Sequence, residues 1–373
     1  MIGLNNIVKG MTGKLTLLLL STVSILIAVE WLAIWLTTDA EDYPGVIYHT
    51  DDSEVELWCY DDKFNGTADW DLRLDHPLGT LRYAANINDD PRLEELDPRA
   101  VYNAVEVRLN ELQFRERSES ELMLELAREI PFTLIVGDSF CFGQGVRRRD
   151  RFSDLIEEKL EAQGQDHILY NSCVPGMNIQ RIARVQREAV KRFGVPQRVV
   201  YSFTLNDPVR DAQTRMLEDS IYDLMHFRHN RFEATQRSLL WRSATLRWLG
   251  GRRAREQIAE RTVAWYQQLY EDNPGWRQTA RILAEMKAFS TEKRIEFALV
   301  VFPLFHQLED YPLRNAHQKL ANFSRENGIE YIDLLDLFAG KDERQYWVHP
   351  TDFHPNDRAH REVATYLLKA LDW

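Results

Sequence analysis

The sequence predicts an α/β protein with a three-layer α/β/α core on a parallel sheet. An apolar N-terminal helix and a small β-rich extension precede the core, and a helical insertion interrupts it. Three observations carry this reading. Short apolar runs at 132–136, 167–170, 197–203, 295–302 and 330–334 alternate with stretches of helical spacing. Glycine, asparagine, aspartate or proline follows most of these runs, as turns require. A long apolar stretch stands near the first residue. Strands that alternate with helices imply a parallel sheet covered on both faces.

The elements follow in order. From Leu15 to Leu36 the chain is nearly all apolar, broken only by small hydroxyl residues and Glu30. At about 1.5 Å per residue the stretch covers roughly 33 Å, enough to cross a bilayer. Lys9 and Lys14 precede it, while Asp39, Glu41 and Asp42 follow. That charge bias leaves the N-terminus in the cytoplasm and sends the remainder to the periplasm or cell exterior. Trp31 and Trp35, one turn apart, fit the outer interface. A cleaved signal peptide is the rival reading, but no small-x-small site closes the stretch. Residues 1–37 are thus expected to be a cytoplasmic stub and single-pass anchor. Glu30 is expected to reach water or stay protonated; the alternative is a contact with a membrane-complex partner.

Residues 38–131 read as the extension. Val55–Tyr60 and Val101–Leu109 alternate as strands do, between turns rich in Asp, Asn and Gly. Its aromatics Trp58, Tyr60 and Trp70 read as packing, with carbohydrate contact as the alternative. Residues 132–373 form the core. Helices are expected over Phe152–Leu160, Ile179–Phe193, Leu313–Asn327 and His360–Leu371. Ile295–Phe302 has an unbroken apolar half, which implies burial on both faces. The insertion, about 208–275, holds helical patterns at Ser238–Leu249 and Glu256–Tyr270. Between Val209 and Val263 eleven arginines face seven acids, so it is basic within an acidic chain. A lid or substrate channel is one role for it. A hairpin that buries Leu239, Leu240, Trp241, Leu246 and Trp248 is the other.

The chemistry lies at the strand ends. Phe132–Val136 runs into Gly137-Asp138-Ser139, which puts a serine hydroxyl at the tip of a buried strand. A serine needs a base to act as a nucleophile at neutral pH, and Asp352-Phe353-His354 offers a histidine with a carboxylate nearby. Gly176 and Asn206 follow the next two strands. A glycine N–H and an asparagine NH2 are suitable donors to an oxygen that becomes negative during acyl transfer. Asp138 is expected to brace its turn through backbone N–H groups. Asp352 is read as the partner of His354; the competing reading makes it the cap of the helix that starts near Asn356. His349 is a weaker alternative base.

These four blocks, in order and spacing, resemble the SGNH/GDSL hydrolase family, whose blocks supply Ser, Gly, Asn and His. Here the matching positions are Ser139, Gly176, Asn206 and His354. The resemblance covers roughly 132–207 and 294 to the C-terminus, and it implies a flavodoxin-like SGNH domain. In much of the family the acid lies three residues before the histidine, a place that holds Thr351 here; Asp352 is two before. Leu109–Arg115 resembles the lead-in of some membrane-anchored relatives. The implied activity is a serine esterase that hydrolyses acyl esters, acetyl among them, on an extracytoplasmic glycan or lipid. An O-acyltransferase modifying a surface polysaccharide and a non-catalytic subunit of a membrane complex are the alternatives.

Composition excludes other classes. A hydrophobic share of 44% with 28% charged residues fits an ordered protein, and a net charge of −12 argues against nucleic acid as a partner. Arg147–Arg149 and Arg252–Arg253 read as solvated faces. No metal or other cofactor is expected: His349 and His354 stand five apart on an expected loop, and Gly143 and Gly145 serve a turn. Cys59, Cys141 and Cys173 make an odd count. Cys141 and Cys173 lie near Ser139 and Gly176; two buried thiols are the expectation, and a disulfide that braces the two loops is the alternative.

Overall fold

The computed structural model describes residues 2–36, 46–50, 55–59, 82–83, 107–112, 114–229, 243–349 and 352–373. It divides into two compact units, one of residues 1–43 and 219–261, the other of 44–218 and 262–373.

The first unit contains α1, Ile2–Leu36. Within it, Gly13–Trp35 is long and apolar enough to cross a membrane, which fits either an anchor or a signal sequence. From Leu15 to Ile34 its leucines and isoleucines are exposed.

The second unit holds the extension and the core. In the extension β1 (Val46–Thr50), β2 (Val55–Cys59), β3 (Arg82–Tyr83) and β4 (Val107–Arg108) form an antiparallel sheet in the order β2-β1-β3-β4. The expected strand at Val55–Tyr60 is thus present, and only the end of Val101–Leu109 is described, as β4. Tyr60, Trp70 and the side chain of Trp58 lie outside the described residues. Helix α2, Glu119–Leu126, opens with a capping box: Ser118 Oγ accepts from Glu121 N, and the Glu121 carboxylate accepts from Ser118 N.

The core sheet is five-stranded and wholly parallel. Its members are β5 (Phe132–Gly137), β6 (Ile168–Asn171), β7 (Arg198–Phe203), β8 (Glu296–Val301) and β9 (Glu330–Asp333), in the order β6-β5-β7-β8-β9. All of β5, β6 and β7 are buried, which is why they read as apolar runs without alternation. Between β5 and β6 come the single-turn α3 (Ser139–Phe142) and α4 (Phe152–Ala162). Helix α5 (Ile179–Phe193) joins β6 to β7. From β5 the chain steps one way along the sheet to β6, then back past β5 to β7. Right-handed crossovers therefore put α4 and α5 on opposite faces. This strand order is the flavodoxin-like one, and its topological switch point falls between β5 and β7.

Three helices separate β7 from β8: α6 (Ala212–His229), α7 (Ala244–Leu269) and α8 (Pro274–Glu292). The two expected segments Ser238–Leu249 and Glu256–Tyr270 are corrected here. From Ala244 onward they form one helix that runs through Gly250-Gly251. Each glycine costs a helix about 1 kcal/mol, and the Arg-Arg-Ala-Arg-Glu-Gln run that follows restores good helix formers. Leu239, Leu240, Trp241 and the side chain of Trp248 lie outside the described residues. Leu246, expected to be buried, is 42% exposed. Helix α8 begins on an Asn273 cap with Pro274 in the first turn, and it packs on α5.

After β8 come α9 (Arg314–Glu326), β9, the short α10 (Leu335–Phe338), a two-stranded hairpin of β10 (Trp347–His349) and β11 (Asp352–Pro355), and α11 (Asp357–Ala370) against α4. The expected loop around His349 and His354 is thus a hairpin, in which His349 pairs with Asp352.

Candidate active site

The site begins with a turn that leaves no room. A Cβ at Gly137 would stand 2.5 Å from Cys141 Sγ and 2.5 Å from the Ser202 carbonyl oxygen, so only glycine permits this close passage. Asp138 then caps α3, its Oδ1 accepting from Phe140 N at 3.1 Å, which is the bracing role expected of it. Ser139 is the first residue of α3 and 8% exposed. The imidazole Nε2 of His354 lies 2.9 Å from Ser139 Oγ. For the serine to donate to Nε2, the ring proton must reside on Nδ1. An edge of the Phe140 ring meets the imidazole at 5.4 Å between centroids and holds its plane.

His354 stands on β11, which Asn356 secures by donating its N–H to Tyr346 O at 2.8 Å. Asn356 also caps α11, its Oδ1 accepting from Arg358 N and Ala359 N. The cap role once open to Asp352 therefore belongs to Asn356. Asp352 begins β11, two residues before His354. The side chains of Asp352 and His349 lie outside the described residues.

The two expected oxyanion donors follow the neighbouring strands. Because β6 and β7 flank β5, the loops that carry Gly176 and Asn206 leave the sheet on either side of Ser139. Gly176 has φ +73, and a Cβ there would meet nothing within 4 Å, so the peptide lies open. That backbone conformation favours glycine. The side chain of Asn206 donates to the Asp138 carboxylate. A carboxylate only accepts, so the amide NH2 of Asn206 is the donor and faces the serine loop.

Beneath these groups sits an acid that sequence reasoning did not single out. Asp207 is fully buried and accepts from Tyr201 OH at 2.9 Å, Thr204 N at 3.0 Å and Thr204 Oγ1 at 2.8 Å. Burial, and then the charge of Asp138, raises its carboxyl well above the usual range. Burial also raises Asp138, against the bond from Phe140 N and the field of His354. Burial among hydroxyl and amide donors thus shifts both carboxyls upward.

The loops are joined covalently. Cys141 and Cys173 form a disulfide with a Cα–Cα distance of 5.8 Å, which corrects the expectation of two buried thiols. Asn171 supports both ends: its Nδ2 donates to Cys141 O at 2.8 Å, and its Oδ1 accepts from Cys173 N at 3.1 Å. The lead-in before the core adds a further tie. Arg115, buried, donates through Nη1 to Gly143 O at 2.8 Å and Phe142 O at 3.3 Å, at the C-terminal end of α3. Asn171 carried no signal in sequence beyond a polar residue after an apolar run, and Arg115 only its place at the end of the Leu109–Arg115 lead-in. Among the described residues no cluster of histidine, cysteine, aspartate and glutamate is arranged to hold a metal ion.

Fold and site together define a serine hydrolase on an α/β/α scaffold. The model of the GDSL-like lipase/acylhydrolase family matches residues 135–362, more than half of the chain, and the chain belongs to that family. It is an SGNH-type esterase or acylhydrolase. Its structure is similar to that of TesA (TM-score 0.41, 13% identity, 65% of this chain and 98% of that one). It is similar also to the psychrotrophic esterase EstA from Pseudoalteromonas sp. (0.38, 14%, 63% and 94%). A third similar structure is the acetyl xylan esterase AlAXEase (0.38, 14%, 65% and 100%). No curated protein matches the sequence.

Proposed function

We propose that the protein is a membrane-anchored serine esterase that removes acyl groups, acetyl among them, from an extracytoplasmic glycan or lipid. The 2.9 Å approach of His354 Nε2 to Ser139 Oγ carries the reading. Ser139 attacks the ester carbonyl while His354 takes its proton, with Asp352 as the partner of the ring. The N–H groups of Ser139 and Gly176 and the amide of Asn206 hold the oxygen that becomes negative. The imidazolium then protonates the leaving alcohol, and a water activated by the same ring frees the acyl group. Asp138, through its bond from Asn206, keeps that donor aimed.

Placement outside the membrane rests on the charge bias around α1, on its length and on the disulfide, which persists in an oxidising compartment. The deciding experiment incubates the protein with an activated acetyl ester, with and without an added glycan. Free acetate in both arms is the expected result. Acetyl groups appearing on the glycan would make the protein a transferase, and no turnover by folded protein would favour a structural role in a membrane complex.

A further inference from the structure

Glu30 is the one charged residue between Leu15 and Leu36, and the structure gives it an occupation within its own chain. Its carboxylate accepts from Ser243 Oγ at 2.7 Å, Thr245 Oγ1 at 2.8 Å, Thr245 N at 3.2 Å and Ala244 N. The acid of one helix therefore closes the first turn of another, α7, satisfying N–H groups that a helix start leaves open. All of these residues belong to the same compact unit.

Depth follows from arithmetic. Glu30 is six residues from the middle of Gly13–Trp35, or about 9 Å along the helix. The hydrocarbon half-thickness of a bilayer is about 15 Å, so an upright anchor holds this carboxylate inside the outer leaflet. A lone carboxylate is costly there, whereas one that accepts four hydrogen bonds is not stranded. The donors must then share its depth. Leu246 and Leu249, three apart and so on one side of α7, are 42% and 53% exposed, an unfavourable arrangement in water and a favourable one in lipid. Arg242, Arg247, Arg252 and Arg253 flank or follow this turn, a pattern suited to phosphate headgroups.

We infer that Glu30 seats the first turn of α7 in the outer leaflet, making Leu246 and Leu249 a second membrane contact beside the anchor. The inference rests on the anchored reading of α1, and the test separates the two. In a Cys59→Ser background only an introduced cysteine takes a thiol-reactive bimane, since Cys141 and Cys173 are buried and bonded. The full chain carrying Leu246→Cys or Leu20→Cys is placed in phosphatidylethanolamine–phosphatidylglycerol vesicles with nitroxides on the acyl chains.

The expected result is quenching of the 246 probe by shallow nitroxide with protection from aqueous iodide, and quenching of the 20 probe by deep nitroxide. Adding Glu30→Leu should expose the 246 probe to iodide while the 20 probe stays quenched. A quenched 20 probe beside an iodide-accessible 246 probe overturns the inference and leaves the anchor standing. Two unquenched probes overturn the anchor, and the inference with it. A 246 probe that remains in lipid after Glu30→Leu removes Glu30 as the seat.

Discussion

The short helix that carries Ser139 is held at both ends by buried charge, and the two ends are built on opposite electrostatics. At its C-terminal end the environment is cationic. Arg115 bonds the last carbonyls of α3, and behind it Glu116 accepts from Arg148 and from the fully buried Arg151, and also from Asn171 N at 3.3 Å. At the N-terminal end Asp138 and Asp207 have hydroxyl, amide and backbone donors, with His354 as the neighbouring base. Arginine and carboxylate paired in the interior hold segments together because neither tolerates the loss of the other. Carboxylates among hydroxyls instead acquire raised pKa values and orient neutral donors. One end therefore governs stability, and the other governs reactivity.

The largest break of this contrast is Glu116→Ala. It leaves the buried Arg151 guanidinium with Asp154 as its carboxylate and takes an acceptor from Arg148, Arg117 N and Asn171 N; the expected loss is about 3 kcal/mol of folding free energy, read from urea denaturation. A loss below about 1 kcal/mol would show that the arginine cage does not hold the lead-in to the core.

At the other end the effect should fall on rate. Asn206→Ala is expected to lower kcat by about 10²–10³ with KM nearly unchanged, in steady-state hydrolysis of an activated acetyl ester. A raised KM at constant kcat would assign Asn206 to substrate binding alone.

The smallest effect sharpens the cationic side. His360 is buried; burial, then the Arg151 and Arg115 charges, lowers its pKa from 6.5 to about 3. Between these values the unfolded chain binds a proton that the native protein refuses. Its stabilising share is complete above about pH 6.5 and is lost as pH falls toward 3. His360→Asn should flatten the fall in urea midpoint between pH 7 and pH 5. One proton accounts for at most about 1.4 kcal/mol per pH unit. An unchanged slope would mean that His360 protonates in the native state.

The same contrast explains what the sequence disclosed. All five core strands were legible: burial forces apolar runs in β5 to β8, and the edge strand β9 shows Tyr331 and Ile332 between Glu330 and Asp333. Ser139, Gly176, Asn206 and His354 were legible because each follows or stands near a strand in a recognisable block. A helix start near Asn356 was legible, but the capping chemistry was offered to Asp352 and belongs to Asn356. Ties between distant segments were not. Nothing around Arg115 announces the carbonyls of Phe142 and Gly143, and nothing around Asn171 announces both cysteines. The disulfide stayed the alternative because pairing depends on two loops meeting in space. The two helical patterns Ser238–Leu249 and Glu256–Tyr270 gave no sign that the helix continues through the Gly250-Gly251 pair between them. The Asn273-Pro274 start of α8 carried a clear signal, but the insertion was taken to end there. Glu30 marked itself as unusual, and only the fold shows what it holds.

The central claim is that the 139 hydroxyl is activated by the 354 imidazole. A fluorophosphonate probe followed by peptide mass spectrometry tests it most directly. The account predicts adduct on Ser139, strong suppression of labelling in His354→Ala, and none in Ser139→Ala. A folded wild-type protein that takes no label at Ser139, or labels equally well without His354, would contradict it.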